Sequence, residues 1–328
     1  MESQTPTVPF SVSGKTAIVT GAGSGINLAF TALLLSRGCN VLLADISLRP
    51  QAEVLISNHQ DHASTPRAAF VKTDVTSWPD LRRMFDTAVA EFGGFDIVCP
   101  GAGVYEPHWC NFWHPPGSEE SGDGVEGGRY KLLDVNVTHP IRTTQLALSY
   151  WLHPRRQQQQ EVSPTPSATK ASPANPKRVI HISSIAGQLP AFRAPLYGAS
   201  KFAITGFVRC LGPLEPKLGV RVNAVAPGLV RTPMWTEHPE TLVNLNQEQD
   251  GWVTPQEVAD AMLACVEKAS LVGGTVLEVG KGRTREVGVL NDPGPDTSPG
   301  AGTVASRAEE GERMVWEWLE DGNIWGVA

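Results

Sequence analysis

Cysteine is scarce and odd in number: Cys39, Cys99, Cys110, Cys210 and Cys265, with no C-x-x-C pair. That excludes a disulfide framework and the paired thiolates of a structural zinc site, and it points to a reducing compartment. No His/Cys/Asp spacing supports a metal centre, so no metal is expected. Long apolar runs are missing as well; none approaches the roughly 18 residues that a membrane helix needs. Met1 to Phe10 is polar and lacks the apolar stretch of a signal peptide. The expectation is a cytoplasmic protein with no membrane partner. Basic residues are the minority, 27 against 34 acidic, for a formal charge of -7 and a pI near 5.6. Nucleic acid or an anionic bilayer would need a dominant positive field, so neither is an expected partner. No repeat of fixed period is present, which excludes a solenoid.

What is present is a chain of 328 residues, 41% hydrophobic and 19% charged, able to bury a sizeable core without staples. Short β-rich runs alternate with helix-period segments. Lys15 to Thr20, Asn40 to Ala44, Ala69 to Lys72 and Phe95 to Cys99 read as the first four strands. Arg178 to Ile182, Val220 to Val225 and Thr275 to Val279 bring the count to about seven. The helix after the first strand ends near Arg37, where Gly38 suits a left-handed position. Another opens at Ser77 as N-cap, with Asp80 at its third position, and runs to Phe92 before Gly93. Strands alternating with helices predict α/β architecture: one doubly wound parallel sheet with helices on both faces.

The expected layout is a tail over 1–12, one domain over 13–287 and a C-terminal extension over 288–328. Three stretches break the alternation. Glu106 to Gly128 is rich in glycine and proline and carries Trp109, Phe112 and Trp113. Pro154 to Pro176, with Gln157 to Gln160 and a Ser/Thr/Pro tract, reads as a disordered surface loop. Gly288 to Gly311 precedes an end with Trp316, Trp318 and Trp325, expected to dock as a short helix on the domain or on a sister subunit.

Between the first strand and its helix lies Thr20-Gly21-Ala22-Gly23-Ser24-Gly25-Ile26-Asn27. Glycine lets the backbone approach a pyrophosphate, and the helix N-terminus offers free N–H groups with a partial positive charge. The G-x-G-x-x-G string is incomplete, because Ile26 holds the last glycine's place; position in a βαβ unit carries the reading. Asp45 follows the second strand, 20 residues after Gly25. A carboxylate there accepts both ribose hydroxyls of an adenosine and repels a 2′-phosphate, which favours NAD over NADP; Arg49 lies a little beyond. Asp74-Val75, after the third strand, offers either a group near the adenine or a simple cap.

Tyr197-Gly198-Ala199-Ser200-Lys201 sets a phenol and an ammonium four residues apart, one helical turn on one face. A free tyrosine has a pKa near 10, and a neighbouring ammonium is expected to lower it toward useful basicity. Ser184 lies 13 residues earlier, just past the fifth strand, where parallel strands open ligand clefts. His139 and His181 read as packing or surface residues.

Taken together these blocks resemble the short-chain dehydrogenase/reductase family over roughly Ser13 to Val287. The matching blocks are Thr20 to Ile26, Asp74-Val75, Gly101-Ala102-Gly103, Asn136, Ser183 to Gly187, Tyr197 to Lys201 and Pro227 to Thr232. From Ala186 to Thr232 the chain looks most like the NAD-dependent branch that contains 15-hydroxyprostaglandin dehydrogenase. The resemblance implies a Rossmann-type fold and reversible hydride transfer between nicotinamide and a secondary alcohol or ketone. It implies Tyr197 as general acid/base and Lys201 as the group that lowers its pKa and binds the nicotinamide ribose. Ser184 would hold the substrate oxygen, and Asn136 would help place a proton-relaying water. Gly21, Gly23, Ser24, Gly25, Ile26, Asp45, Asp74, Val75, Gly101, Ala102 and Gly103 would surround the cofactor. Pro227, Gly228, Val230 and Thr232 would meet its nicotinamide end. A homodimer or homotetramer is implied by the family alone.

Two departures stand out. Asn27 occupies the family's third-glycine position, where its amide is expected to offset crowding by donating to a phosphate oxygen. Pro100-Gly101 replaces the usual asparagine pair after the fourth strand. Aromatic residues near the cleft, namely Tyr105, Trp109, Phe112, Trp113 and Trp235 with Met234 and His238, suggest a bulky apolar substrate of terpenoid, steroid, polyketide or fatty-acid type. Two other readings stay open: the scaffold recruited for isomerisation or cyclisation, and a catalytically silent binding protein.

Overall fold

The computed structural model describes residues 9–61, 65–107, 109–154, 170–237, 251–289 and 308–321. Eight strands form one sheet in the order β3-β2-β1-β4-β5-β6-β7-β8. They are β1 Thr16–Thr20, β2 Asn40–Asp45, β3 Ala68–Lys72, β4 Ile97–Cys99, β5 Lys177–Ile182, β6 Val220–Pro227, β7 Val276–Gly280 and β8 Arg283–Glu286. β1 to β7 pair in parallel, and β8 returns antiparallel on β7. The expected count of about seven therefore gains a polar edge strand. Its sequence, Arg-Thr-Arg-Glu, is exposed throughout and shows no apolar alternation to read.

Strand β1 shows why the parallel strands were legible. All five residues are buried, since helices cover both faces, and the centre of the strand, Ala17–Val19, is apolar without a break. Ala17 and Val19 face one core with Phe30, Leu34 and Leu35 of α1 (Gly25–Ser36), and Ile18 faces the other. The first core is closed by Val258 and Met262 of a helix over Pro255–Glu267, whose start is fixed by the Thr254/Glu257 capping box. The second holds Leu81, Met84 and Phe85 of α3 (Trp78–Phe92), which follows α2 (Pro50–Ser57). Ser77 caps α3 by accepting the Asp80 N–H, and Gly93 ends it at φ 74°, as its sequence indicates.

The next helix begins as α4 (Lys131–Leu133), widens into a π turn over Asp134–Thr138 and continues as α5 (His139–Leu152). After β5 comes α6 (Pro195–Cys210), then α7 (Leu214–Leu218) and α8 (Pro233–Thr236). Pro255–Glu267 is thus α9, and α10 spans Ala308–Glu320. The C-terminal helix docks on its own domain: Leu319 is buried, its carbonyl lies 3.1 Å from His153 Nε2, and Lys217 Nζ sits 4.0 Å from the Trp316 ring centre.

Gln157 to Gln160, Trp325, His238 and most of Gly288–Gly311 lie outside the described residues. The end of the stretch expected to be disordered, by contrast, is packed. Ala171 is buried and donates to Trp151 O at 2.9 Å, and Ser172 bridges Asn175. All five cysteines are free, four of them buried and Cys210 exposed. Among the described residues no helix is long and apolar enough to cross a membrane, and no three metal-ligating side chains cluster.

Candidate active site

The strand order reverses between β1 and β4, and a crevice opens above the carboxyl ends of the strands there, as open α/β sheets require. It is a cleft of about 620 Å³. At one end it is lined by Gly21, Ser24, Gly25, Ile26, Asp45, Asp74 and Val75; Gly101, Ala102 and Gly103 form its floor. At the other end stand Ser184, Tyr197 and Lys201 with Pro227, Gly228, Val230 and Thr232. Of the catalytic and cofactor residues expected from the sequence, Gly23 and Asn136 lie outside this lining. Of the expected aromatics Tyr105, Phe112 and Trp113 do too, the last two being exposed and packed on each other, with Trp113 against Phe192.

Gly23 is held rather than open. Its N–H donates to Asp45 Oδ2 at 2.8 Å, and a Cβ on it would lie 2.4 Å from Ser47 O and 2.9 Å from Asp45 Oδ2. No side chain fits between the turn and the end of β2. Asp45 Oδ1 also accepts the Ser47 N–H at 3.3 Å, so the carboxylate is fixed at the lip of the crevice. Arg49, the cation considered for a 2′-phosphate, is gripped by Glu237 through two 2.6 Å bonds.

Asn27 has a partner that its sequence position does not announce. Asn27 lines the cleft but is largely buried, and its Nδ2 donates to Gly101 O at 2.9 Å. A Cβ at Gly101 would lie 2.2 Å from Asn27 Oδ1, so the asparagine fills the space beside that glycine. The two departures are one exchange. Glycine and asparagine have traded places relative to the family pattern, and the amide now reaches β4 from the helix.

Tyr197 and Ser184 line the cleft together, and the serine hydroxyl acts to lower the phenol's pKa. Ser184 Oγ lies 3.5 Å from Pro227 O and caps the Ile185–Gly187 turn by accepting from Ala186 N at 3.2 Å. Ser183 is spent elsewhere, donating to Lys201 O at 3.1 Å and sharing a 2.7 Å bond with Thr205, which leaves Ser184 as the serine in contact with the phenol. Lys201 Nζ donates to Ile182 O at 2.9 Å and lies 5.4 Å from the Tyr197 ring centre.

The electrostatics differ from the sequence expectation. Burial pushes the Tyr197 phenol up to about 12, opposed by the Ser184 hydrogen bond, and burial pulls Lys201 down to about 8. Desolvation dominates for the phenol, and the lysine is itself desolvated and turned toward a carbonyl.

Asn136, in the π turn, spends its whole amide on neighbours. Oδ1 accepts Val104 N–H at 2.9 Å, and Nδ2 donates to Val104 O at 2.8 Å and Ser200 Oγ at 3.2 Å. The side chain ties the segment after β4 to α6 and has no donor left for a water. Of the aromatic and imidazole side chains described near the site, Trp252 alone escaped the sequence reading. Tyr105 rests edge-on against Tyr197 at 4.8 Å, Trp235 lies 4.9 Å from Tyr105, and Trp252 follows at 6.4 Å. His139, fully buried, bonds Thr20 Oγ1 at 3.1 Å and so braces the glycine turn. Buried His181 lies 3.2 Å from Thr144 Oγ1.

An open parallel sheet, a glycine turn at its switch point and a serine, tyrosine and lysine facing one crevice define a Rossmann-type α/β protein. The chain belongs to the short chain dehydrogenase family, whose profile matches residues 15–242. It is 30% identical over 278 residues to 15-hydroxyprostaglandin dehydrogenase [NAD(+)] of Rattus norvegicus, covering 80% of this chain and 90% of that one. It is 28% identical over 274 residues to cis-4-hydroxycyclohexanecarboxylate dehydrogenase of Sinomonas cyclohexanicum, covering 82% and 96%. Among solved structures, a short-chain dehydrogenase/reductase of the glucose/ribitol dehydrogenase type from Brucella melitensis superposes with a TM-score of 0.61 at 25% identity, over 83% of this chain and 97% of that one.

Proposed function

We propose that the protein is an NAD-dependent oxidoreductase that interconverts a secondary alcohol and a ketone on a bulky, largely apolar small molecule. The observation that carries this reading is the convergence of Ser184, Tyr197 and Lys201 on one cleft with the glycine turn and Asp45. The residues fit a dinucleotide. The turn at Gly23 has no room for a Cβ, the N-terminus of α1 faces the cleft, and Asp45 offers a fixed acceptor for ribose hydroxyls. The same carboxylate opposes a 2′-phosphate, and Arg49 is already neutralised by Glu237. Family relatives whose names include NAD(+) support the same choice.

When bound, the oxidised nicotinamide supplies the hydride acceptor and the positive charge that the buried phenol lacks. The chain's own residues handle the proton. Tyr197 Oη takes it from the alcohol, or returns it to the ketone oxygen, while Ser184 Oγ holds that oxygen in reach. Lys201 stabilises the phenolate and binds the nicotinamide ribose. Tyr105, Trp235 and Trp252 form an aromatic wall beside Tyr197, which favours apolar carbon frames of terpenoid, steroid, polyketide or fatty-acid type. Family membership supports a homodimer or homotetramer, and the composition supports a cytoplasmic location.

Fluorescence titration with NADH and NADPH, followed by a screen of apolar secondary alcohols and ketones, tests the proposal. Tighter NADH binding with NAD-linked turnover is the expected result. Cofactor binding without turnover of any alcohol or ketone would move the assignment to isomerisation or cyclisation. Absence of binding to either nucleotide would leave a silent binding protein and overturn it.

A further inference from the structure

Helix α6 carries Tyr197 and Lys201, yet its own start is poorly provided for. The N-cap residue is Ala194, which has no side-chain acceptor, and Pro195 follows it. The N–H groups of the first turn need acceptors, and burial makes leaving them unpaired costly. The acceptor comes from 91 residues upstream. Glu106 Oε2 accepts the Tyr197 N–H at 2.9 Å, with the Leu196 N–H beside the same carboxylate. Its other oxygen, Oε1, accepts the Phe112 N–H at 3.0 Å. Glu106 is only 6% exposed.

A carboxylate at this point serves two ends at once. On one side it satisfies the first turn of the catalytic helix and complements the positive end of its dipole. On the other it fixes the segment bearing Tyr105, whose ring lies against Tyr197, and Trp109, which lines the cleft. The aromatic wall and the phenol are thereby bolted to one side chain. Positioning of this kind is where large rate factors reside, since a displacement of about 1 Å can cost about 100-fold.

We propose that Glu106 is a positioning residue that holds the Tyr197 turn and the aromatic wall in register. The proposal rests on the reading of Tyr197 as the proton-transfer group. It makes Glu106 distinct from residues that bind the cofactor, so its loss should appear in turnover and leave NADH affinity alone.

The test compares full-length protein with Glu106→Gln and Glu106→Ala, using amide hydrogen exchange, NADH titration and steady-state kinetics. Glutamine keeps the shape and one acceptor oxygen but points a donor at a donor. In Glu106→Gln, exchange at Leu196, Tyr197 and Phe112 should rise at least about tenfold, with Ile204 to Arg209 unchanged. kcat should fall about tenfold to 100-fold with the NADH Kd within about twofold, and Glu106→Ala should lose more. Unchanged exchange at those three amides overturns the proposal, and so does kcat kept within about twofold. A uniform loss of protection along α6, with NADH affinity falling alongside kcat, would show a merely structural role and also overturns it. Should Tyr197→Phe retain turnover, the site reading itself fails, a result separate from the exchange pattern around Glu106.

Discussion

Asn27 and Gly101 offer a quantitative check on the reading of this site. Replacing Asn27 by glycine removes the 2.9 Å bond to Gly101 O and places a second small residue beside a first. The lost hydrogen bond is worth about 1 kcal/mol, and glycine adds a few tenths of helix penalty relative to asparagine. With the void left behind, the single change should cost about 1–3 kcal/mol. Gly101→Asn in the parent has the opposite fault, because its Cβ would lie 2.2 Å from Asn27 Oδ1 and 2.7 Å from Cγ. Overpacking of that kind costs about 1–3 kcal/mol. The double replacement removes the clash and returns an amide to the same space from the strand side. It should therefore be more stable than the sum of the singles by about 1–3 kcal/mol. Denaturant midpoints at constant slope measure all four corners of the cycle. Additivity to within about 0.5 kcal/mol would refute the exchange of places. NADH titration of Asn27→Gly adds a second check: the Kd should move less than about tenfold, since one amide hydrogen is already committed to Gly101 O.

Three further outcomes are expected. Tyr197→Phe should remove nearly all turnover, about 100- to 10,000-fold, with NAD affinity changed no more than a few-fold; activity within about tenfold of the parent in a stopped assay would contradict the acid/base role. Asp45→Ser should flatten or reverse the NADH-over-NADPH preference in fluorescence titrations, and a parent that already prefers NADPH would show strand β2 misread. Stability should fall in acid, because burial pulls His139 to about 4 and His181 to about 3. Both protonate near 6.5 once unfolded, so their contribution is full above about pH 6.5 and is lost toward pH 4, at up to about 1.4 kcal/mol per pH unit for each. A denaturant midpoint that stays flat from pH 7 to 4 would refute this.

Much of the fold was readable because parallel strands buried on both faces carry unbroken apolar stretches, as Ala17–Val19 and Val41–Ala44 show. The glycine turn and the tyrosine-to-lysine spacing were equally readable, being local patterns. What escaped was built by contacts between distant residues. Asn27 and Gly101 each look like a defect alone, and only the 74-residue separation closed by the fold makes them a pair. Glu106 sits in a loop with no periodic signal, yet it completes a helix 91 residues away. Strand β8 is polar throughout and is held by backbone pairing and by Arg285 on Glu278. The high Tyr197 value was hidden for another reason: spacing reports that a lysine is near, but not that burial works against both groups.

The distribution of thiols fixes where oxidants and electrophiles can act on this protein. Burial pushes the Cys39 and Cys99 thiols well above their ordinary range and holds Cys110 and Cys265 near 12, so none of the four offers a thiolate at neutral pH. Cys210, exposed, is the last residue of α6, the helix that begins by presenting Tyr197. At 1.5 Å per residue the thiol stands about 20 Å along the axis from the phenol. A maleimide fluorophore would attach there without entering the cleft, and would sit on the same rigid rod as the reacting hydroxyl. Mild peroxide damage should gather at that far end too, leaving turnover intact while the surface thiol is consumed.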